Sequence, residues 1–262
     1  ERIRNYKEFV LPLPEKGIGR YCVTGPLARR AGDLMPLLAI LAGPDGEDPH
    51  CQPARLGDPG AVDLRQLEVV HVPDNGRIGV RPELAGAIAA ALGTLAPRVR
   101  RVREVRLPLL KHSFEIWAAM MAAEDVPSFA SQLGNGVPPR LARELAKWLV
   151  GRSDHTLPAL VLAAVEKFPL PRRFLEVGAR LRAELHGLLS PHTVLLYPPY
   201  SCPAPHHYVP LLKTFHWVYA GILNVMELPV TQVPLGLGRR GLPLGVQVVG
   251  APGCDHVTIA VA

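Results

Sequence analysis

A serine hydroxyl becomes a nucleophile only when a base takes its proton and preorganised donors meet the oxyanion that forms. Serines occur at Ser113, Ser128, Ser131, Ser153, Ser190 and Ser201, and none stands in a G-x-S-x-G elbow or a glycine-rich loop. Ser201 with His206-His207 is the most suggestive pairing, but it lies in a proline-rich loop with no positioned acid, so an ordinary loop is the expected reading. Adjacent histidines rarely converge on one ion, which argues against a metal there. Cys22, Cys51, Cys202 and Cys254 are far apart and form no C-x-x-C pair, so a zinc site or disulfide scaffold is not expected. Free thiols in a reducing, intracellular compartment fit better. Cys254-Asp255-His256 reads as capping and packing at a helix start rather than as a dyad. The chain thus presents no catalytic residue, no metal ligand set and no cofactor motif.

Two aromatic stripes could line a ligand pocket. Phe114, Trp117 and Met121 recur at helical spacing, as do Phe215, Tyr219 and Leu223. Such stripes are more often core than ligand wall.

The elements that would position these groups alternate in type. Asp33 is expected to cap a helix running through Leu41 to Gly43, and Leu67 to Val72 reads as a strand closed by the Pro73-Asp74-Asn75-Gly76 turn. Pro82 opens an alanine-rich helix reaching about Leu95. Val99 to Leu107 is a second strand candidate, Lys111 to Arg182 is mainly helical, and Val194 to Tyr197 is a short buried strand. A helix containing Phe215, Trp217, Ile222 and Val225 follows, then strands at Val230 to Pro234 and Leu244 to Val249 around a Gly238 to Gly241 turn. Strands alternating with helices predict an α/β fold with a mixed or largely parallel sheet.

Bulk composition agrees: 262 residues, 48% of them hydrophobic and 20% charged, suit a globular core. The formal charge of +6 is spread out except for a knot at Arg98, Arg100, Arg101, Arg103 and Arg106. Interleaved valines make that knot a strand with a solvated basic face, and no nucleic-acid-binding signature accompanies it. No stretch reads as a membrane span or signal peptide.

The last third carries an ordered set of blocks. Glu227-Leu228-Pro229-Val230-Thr231-Gln232-Val233-Pro234 precedes Gly241-Leu242-Pro243-Leu244-Gly245-Val246-Gln247, with Asp255 beyond. Gly245 suits close backbone packing in a central strand, and Pro243 stands where it costs no ladder hydrogen bond. Upstream come Thr24-Gly25-Pro26-Leu27-Ala28-Arg29, Leu41-Ala42-Gly43-Pro44, Ser113-Phe114-Glu115-Ile116-Trp117, and Tyr197-Pro198 with His206-His207. Together they resemble the amidase-signature family, and within it the fatty-acid amide hydrolases.

The resemblance implies a mixed β-sheet flanked by helices in the amidase-signature fold, incomplete at its N-terminal side, with residues 1–262 as the C-terminal portion of one domain. Family members cleave amides with a serine nucleophile, a second serine on a cis peptide and a lysine base, all N-terminal to the Thr-Gly-Pro block. Glu1 to Cys22 hold no serine, so no catalytic residue carries over and the chain alone is expected to be inactive. A start at Glu1 and an apolar helical end without a stop signal suggest a fragment. The resemblance also implies a fatty-acid amide substrate, no cofactor, and association with a membrane surface through an upstream segment. Helices flanking an acyl channel in the family make Trp117, Met121, Trp217 and Leu223 the expected substrate-binding residues. Two alternatives stay open. One is a catalytically inactive truncated member that acts by binding or has no function. The other is an amidase, or one component of an amidotransferase, for a small or tRNA-linked amide, against which the apolar Trp117 to Met121 region argues.

Overall fold

The structure, a computed structural model, describes residues 21, 25–44, 53, 55–123, 129–134, 136–165, 171–206, 209–212 and 215–262. Cys22, Thr24, Cys51, Pro127, Ser128 and His207 lie outside them. Five strands form one mixed sheet: β1 (Glu68–His71), β2 (Arg101–Glu104), β3 (Thr193–Tyr197), β4 (Val230–Leu237) and β5 (Pro243–Val249), in the order β2-β1-β3-β5-β4. β1 runs parallel to both β2 and β3, while β3–β5 and β5–β4 are antiparallel. The parallel pairs need crossovers, and a hairpin suffices for β4 and β5. That hairpin turns at Gly241, with φ of +70°, and Gly238 N donates to Leu242 O at 2.8 Å.

Burial follows from this order. Every residue of β3 is buried, as is β5 from Leu244 onward, which is why both strands read as continuous apolar runs rather than alternating ones. Thr231 of β4, paired with Val248, bonds Thr258 Oγ1 at 2.8 Å. Gln247, one pleat away, reaches Tyr219 O at 3.5 Å. Helices therefore cover both faces of β5. Gly245 has the expected close approach: a Cβ there would strike the Gln232 side chain and lie 2.9 Å from Val233 O.

The helices are α1 (Leu34–Leu41), α2 (Pro82–Leu95), α3 (Ser113–Ala123), α4 (Phe129–Leu133), α5 (Leu141–Leu149), α6 (Leu157–Val165), α7 (Arg173–Leu188), α8 (Val209–Leu212), α9 (Val218–Val225) and α10 (Asp255–Val261). α2 starts at Pro82 with Glu83 in its first turn, where a missing N–H and a carboxylate are both favourable. Asp33 does not cap α1 as expected. A 3-10 turn at Ala31–Asp33 leads straight into the helix, holding Asp33 in helical geometry with its side chain off the free N–H groups. The expected helix around Phe215 and Trp217 begins later, at Val218, and those two aromatics occupy the turn before it.

The arginine knot becomes the edge strand β2 and its flanks. Arg101 and Arg103 both bond Glu68 on β1, the former at 2.6 Å, and they hold its carboxyl below the usual range, Arg103 contributing most. Val99 and Leu107 on either side are buried in the core, so the knot is a solvated edge strand held down by apolar flanks.

Candidate functional site

From β1 the chain leaves through α2 to β2 on one side, while β3 lies on the other side of β1. The carboxyl ends of adjacent parallel strands whose connections part in this way leave a crevice, the usual ligand position in such sheets. Two loops bound it here. The first, after β1, is built by local bonds: Gly76 N donates to Asp74 Oδ1 at 2.7 Å, and Asn75 Oδ1 accepts from Arg77 N at 3.0 Å and Ile78 N at 2.7 Å. Gly76, with φ of +75°, supplies the left-handed turn residue. Tyr219 of α9 ties this loop down, its hydroxyl accepting from Asn75 N at 3.3 Å and donating to Ile78 O.

The second loop follows β3. Gln247 Nε2 donates to Pro198 O at 3.0 Å, and Arg81 N, at the start of α2, donates to Ser201 O at 2.8 Å. Ser201 Oγ hydrogen-bonds His216 Nδ1 in the turn before α9. Beside this second loop lies a pocket of about 380 Å³ lined by Tyr200, Cys202, Ala204, Pro205, Pro210 and Trp217. A hollow of about 500 Å³ between α1, Pro59-Gly60 and Ile259 shares no residue with it.

Behind Trp217 stands an aromatic wall. Its ring meets Trp117 of α3 edge-on, centroids 4.5 Å apart, and Phe114 packs on Phe215 at the same separation. Gly221, one helical turn into α9, leaves room for this wall: a Cβ there would come within 2.6 Å of Trp217 Cζ3 and 3.3 Å of Trp117 Cδ1.

The phenols nearby are held neutral. Burial pushes Tyr219 up to about 12 and raises Tyr197 and Tyr200 as well. None is a base at neutral pH. The second loop therefore offers an apolar pocket whose edge is tied back by the Ser201–His216 hydrogen bond. Among the described residues no group of three or more His, Cys, Asp and Glu could hold a metal.

The expected site residues separate into two groups. Trp117 and Trp217 meet, and Trp217, 37% exposed, reaches the pocket. Met121 is half-buried on α3, packed against the core. Leu223 is only 2% exposed and belongs to the core, because the face of α9 that carries it is turned inward. Ser201 pairs with His216 rather than His206. His216 carried no sequence signal, since it stands fifteen positions further along the chain and no periodicity spans that interval. At the other end, neither Cys254 nor Asp255 caps α10, whereas the expected packing is present: a Cβ at Gly57 would collide with the His256 ring. Burial pushes the Cys254 thiol up.

Comparison with known proteins supplies what geometry alone does not. The Amidase family profile matches residues 13–259. Fatty-acid amide hydrolase 2-A of Danio rerio is 39% identical over 96% of this chain and 48% of its own length. Fatty-acid amide hydrolase 2 of Homo sapiens is 34% identical over 92% and 47%. The chain thus spans about half the length of these curated relatives. Among solved structures, a bacterial aryl acylamidase of the amidase-signature enzymes superposes with a TM-score of 0.64 at 19% identity, covering 95% of this chain and 54% of that one, a likeness of fold.

Proposed function

Because the chain belongs to the amidase-signature family, we propose that residues 1–262 are the C-terminal portion of one amidase-signature domain from a hydrolase that cleaves fatty-acid amides to fatty acid and amine. In this reading the chain supplies scaffold and acyl-pocket wall, and the Ser-Ser-Lys machinery comes from sequence N-terminal to it. Trp217 contacts the acyl chain, Trp117 and Met121 extend the apolar wall, and Leu223 backs it from the core. The observation that carries the reading is the apolar pocket edged by Trp217 and walled by the loop that follows β3. Long acyl chains gain about 0.8 kcal/mol for each methylene they bury, and aromatic and thioether side chains supply an adaptable surface for them. Identity to two fatty-acid amide hydrolases supports the same substrate class.

A fluorophosphonate probe, which labels activated serines, tests the division of labour. The 262-residue chain is expected to stay unlabelled, and a chain extended N-terminally to the relatives' length is expected to label. Labelling of the shorter chain overturns the assignment. Turnover of oleamide by the longer chain should exceed that of a short amide; the reverse preference favours a small-amide amidase.

A membrane surface is the site of action that fits the helical excursion α5–α6. Leu145, Trp148 and Leu149 of α5 are exposed together with Val137 and Val150, and exposed Arg140, Arg143 and Arg152 flank them. Glu144 turns inward to Lys147 at 2.6 Å and Ser153 at 3.1 Å, leaving the outer face apolar and cationic. Helices of this kind lie in the headgroup region of anionic bilayers. No helix among the described residues is long and apolar enough to cross one. Sedimentation with phosphatidylserine-containing vesicles should fall on Trp148→Ser; unchanged binding removes this surface from the proposal.

A further inference from the structure

Ser201 and His216 belong to no assigned machinery, yet their placement is specific. Ser201 is 2% exposed, its carbonyl is fixed by Arg81 N at 2.8 Å, and its hydroxyl reaches His216 Nδ1. The residues on either side of Ser201, Tyr200 and Cys202, line the pocket, and so does Trp217, the neighbour of His216. The two walls of the pocket are thus one residue away from the two ends of one half-buried hydrogen bond. The His216 ring also lies against Tyr200, centroids 5.7 Å apart. Arg81 opens α2, so one end of the bond is tied to a regular helix, while the other end holds an irregular turn.

We propose that the Ser201–His216 hydrogen bond is a positioning clasp that sets the width of the apolar pocket and thereby selects slender, straight-chain amides over bulky ones. The inference rests on the acyl-wall reading of the pocket. Physically, Trp217 O joins the helical ladder by accepting from Ala220 N at 3.1 Å and Gly221 N at 3.2 Å, but the turn ahead of it is loosely closed, its bond from Val218 N to Phe215 O being long at 3.4 Å. The half-buried bond from His216 to the anchored Ser201 loop therefore sets how the start of this turn, and with it the pocket edge of the Trp217 ring, stands relative to Tyr200. The bond forms with either atom as donor: the serine hydroxyl gives to an unprotonated Nδ1, or Nδ1–H gives to the hydroxyl oxygen. Loss of the clasp lets Trp217 move away from Tyr200 and opens the slot. Ser201 and His216 act through the wall and are positioning residues.

The test measures binding of oleamide and of 3,3-diphenylpropanamide to the 262-residue chain and to Ser201→Ala, His216→Ala and His216→Asn. The asparagine amide can occupy the place of Nδ1 and keep the bond. Loss of the clasp in either alanine variant should weaken oleamide binding about five- to tenfold, the loss expected for one ordered hydrogen bond. The bulky amide should change less than about twofold by comparison, and His216→Asn should retain the native ratio. Equal loss for both ligands, or an unchanged ratio in the alanine variants, overturns the clasp. If the parent chain binds neither amide, the acyl-wall reading fails, and the clasp is judged without ligand. With Trp117→Phe and Trp148→Phe leaving only Trp217 emitting, acrylamide quenching must rise on Ser201→Ala and on His216→Ala. Identical quenching refutes the clasp independently of the substrate.

Discussion

Gly221→Ala separates pocket shape from stability. In an ordinary helix interior this change stabilises by about 1 kcal/mol, because glycine surrenders more backbone freedom than alanine. Here the new methyl would stand 2.6 Å from Trp217 Cζ3. Carbon atoms settle near about 3.5–4.0 Å, so the indole must retreat by about 1 Å. The contact with Trp117 at 3.3 Å is tight as well, and α3 packed behind it leaves the partly exposed Trp217 as the group that yields. Disturbing the Trp117–Trp217 edge contact costs about 0.5–1.5 kcal/mol, close to the helical gain, so net stability should change by less than about 1 kcal/mol. The indole's retreat alters the wall where the acyl chain rests. Losing the burial of one or two methylenes costs about 0.8–1.6 kcal/mol, or roughly four- to fifteenfold in affinity. Urea unfolding and oleamide binding, followed by Trp217 emission, read the two effects separately. A Gly221→Ala chain with native emission and native oleamide affinity refutes the reasoning, as does one that loses several kcal/mol of stability.

Other expectations follow from single contacts. Tyr219→Phe removes the hydroxyl that bridges Asn75 N and Ile78 O; leaving these groups unpaired should cost about 1–3 kcal/mol and lower Tm by several degrees, and an unchanged Tm contradicts the role. Gly245→Ala places a methyl against Gln232 and 2.9 Å from a backbone carbonyl, so it should destabilise by about 1–3 kcal/mol in urea titrations; a neutral result shows that the hairpin can shift. Arg103 foremost, with Arg101, holds the Glu68 carboxyl below the usual carboxylate range in the folded chain. It therefore contributes stability above the unfolded value that is lost as pH falls through the folded one. Glu68→Gln should flatten the acid limb of stability against pH below about 4.5; an identical slope excludes this ion pair as the cause.

Much of the fold was legible because short-range rules act without competition in those segments. Pro82 and Glu83 define a helix start through φ and dipole alone, and the apolar run Val194 to Tyr197 has no alternative to a buried strand once helices cover both faces of the sheet. The Asp33 cap failed because a preceding 3-10 turn took the position where a cap would have formed. The helix expected at Phe215 starts late because those aromatics pack sideways onto α3 instead of continuing the helical register. Leu223 has the spacing of a pocket residue, yet α9 is buried on nearly every side, so spacing could not say which face meets ligand. The Ser201–His216 bond joins two irregular segments, and only the folded chain brings them together.

The most direct measurement is photo-crosslinking with a long-chain amide that carries a diazirine near the end of its acyl chain, followed by peptide mapping. Label should concentrate on residues 199–217 and Trp117 and be displaced by oleamide. Label that falls mainly on the hollow beside Met35 and Ile259, or that oleamide cannot displace, contradicts the assignment of Trp217 and its neighbours as the acyl wall.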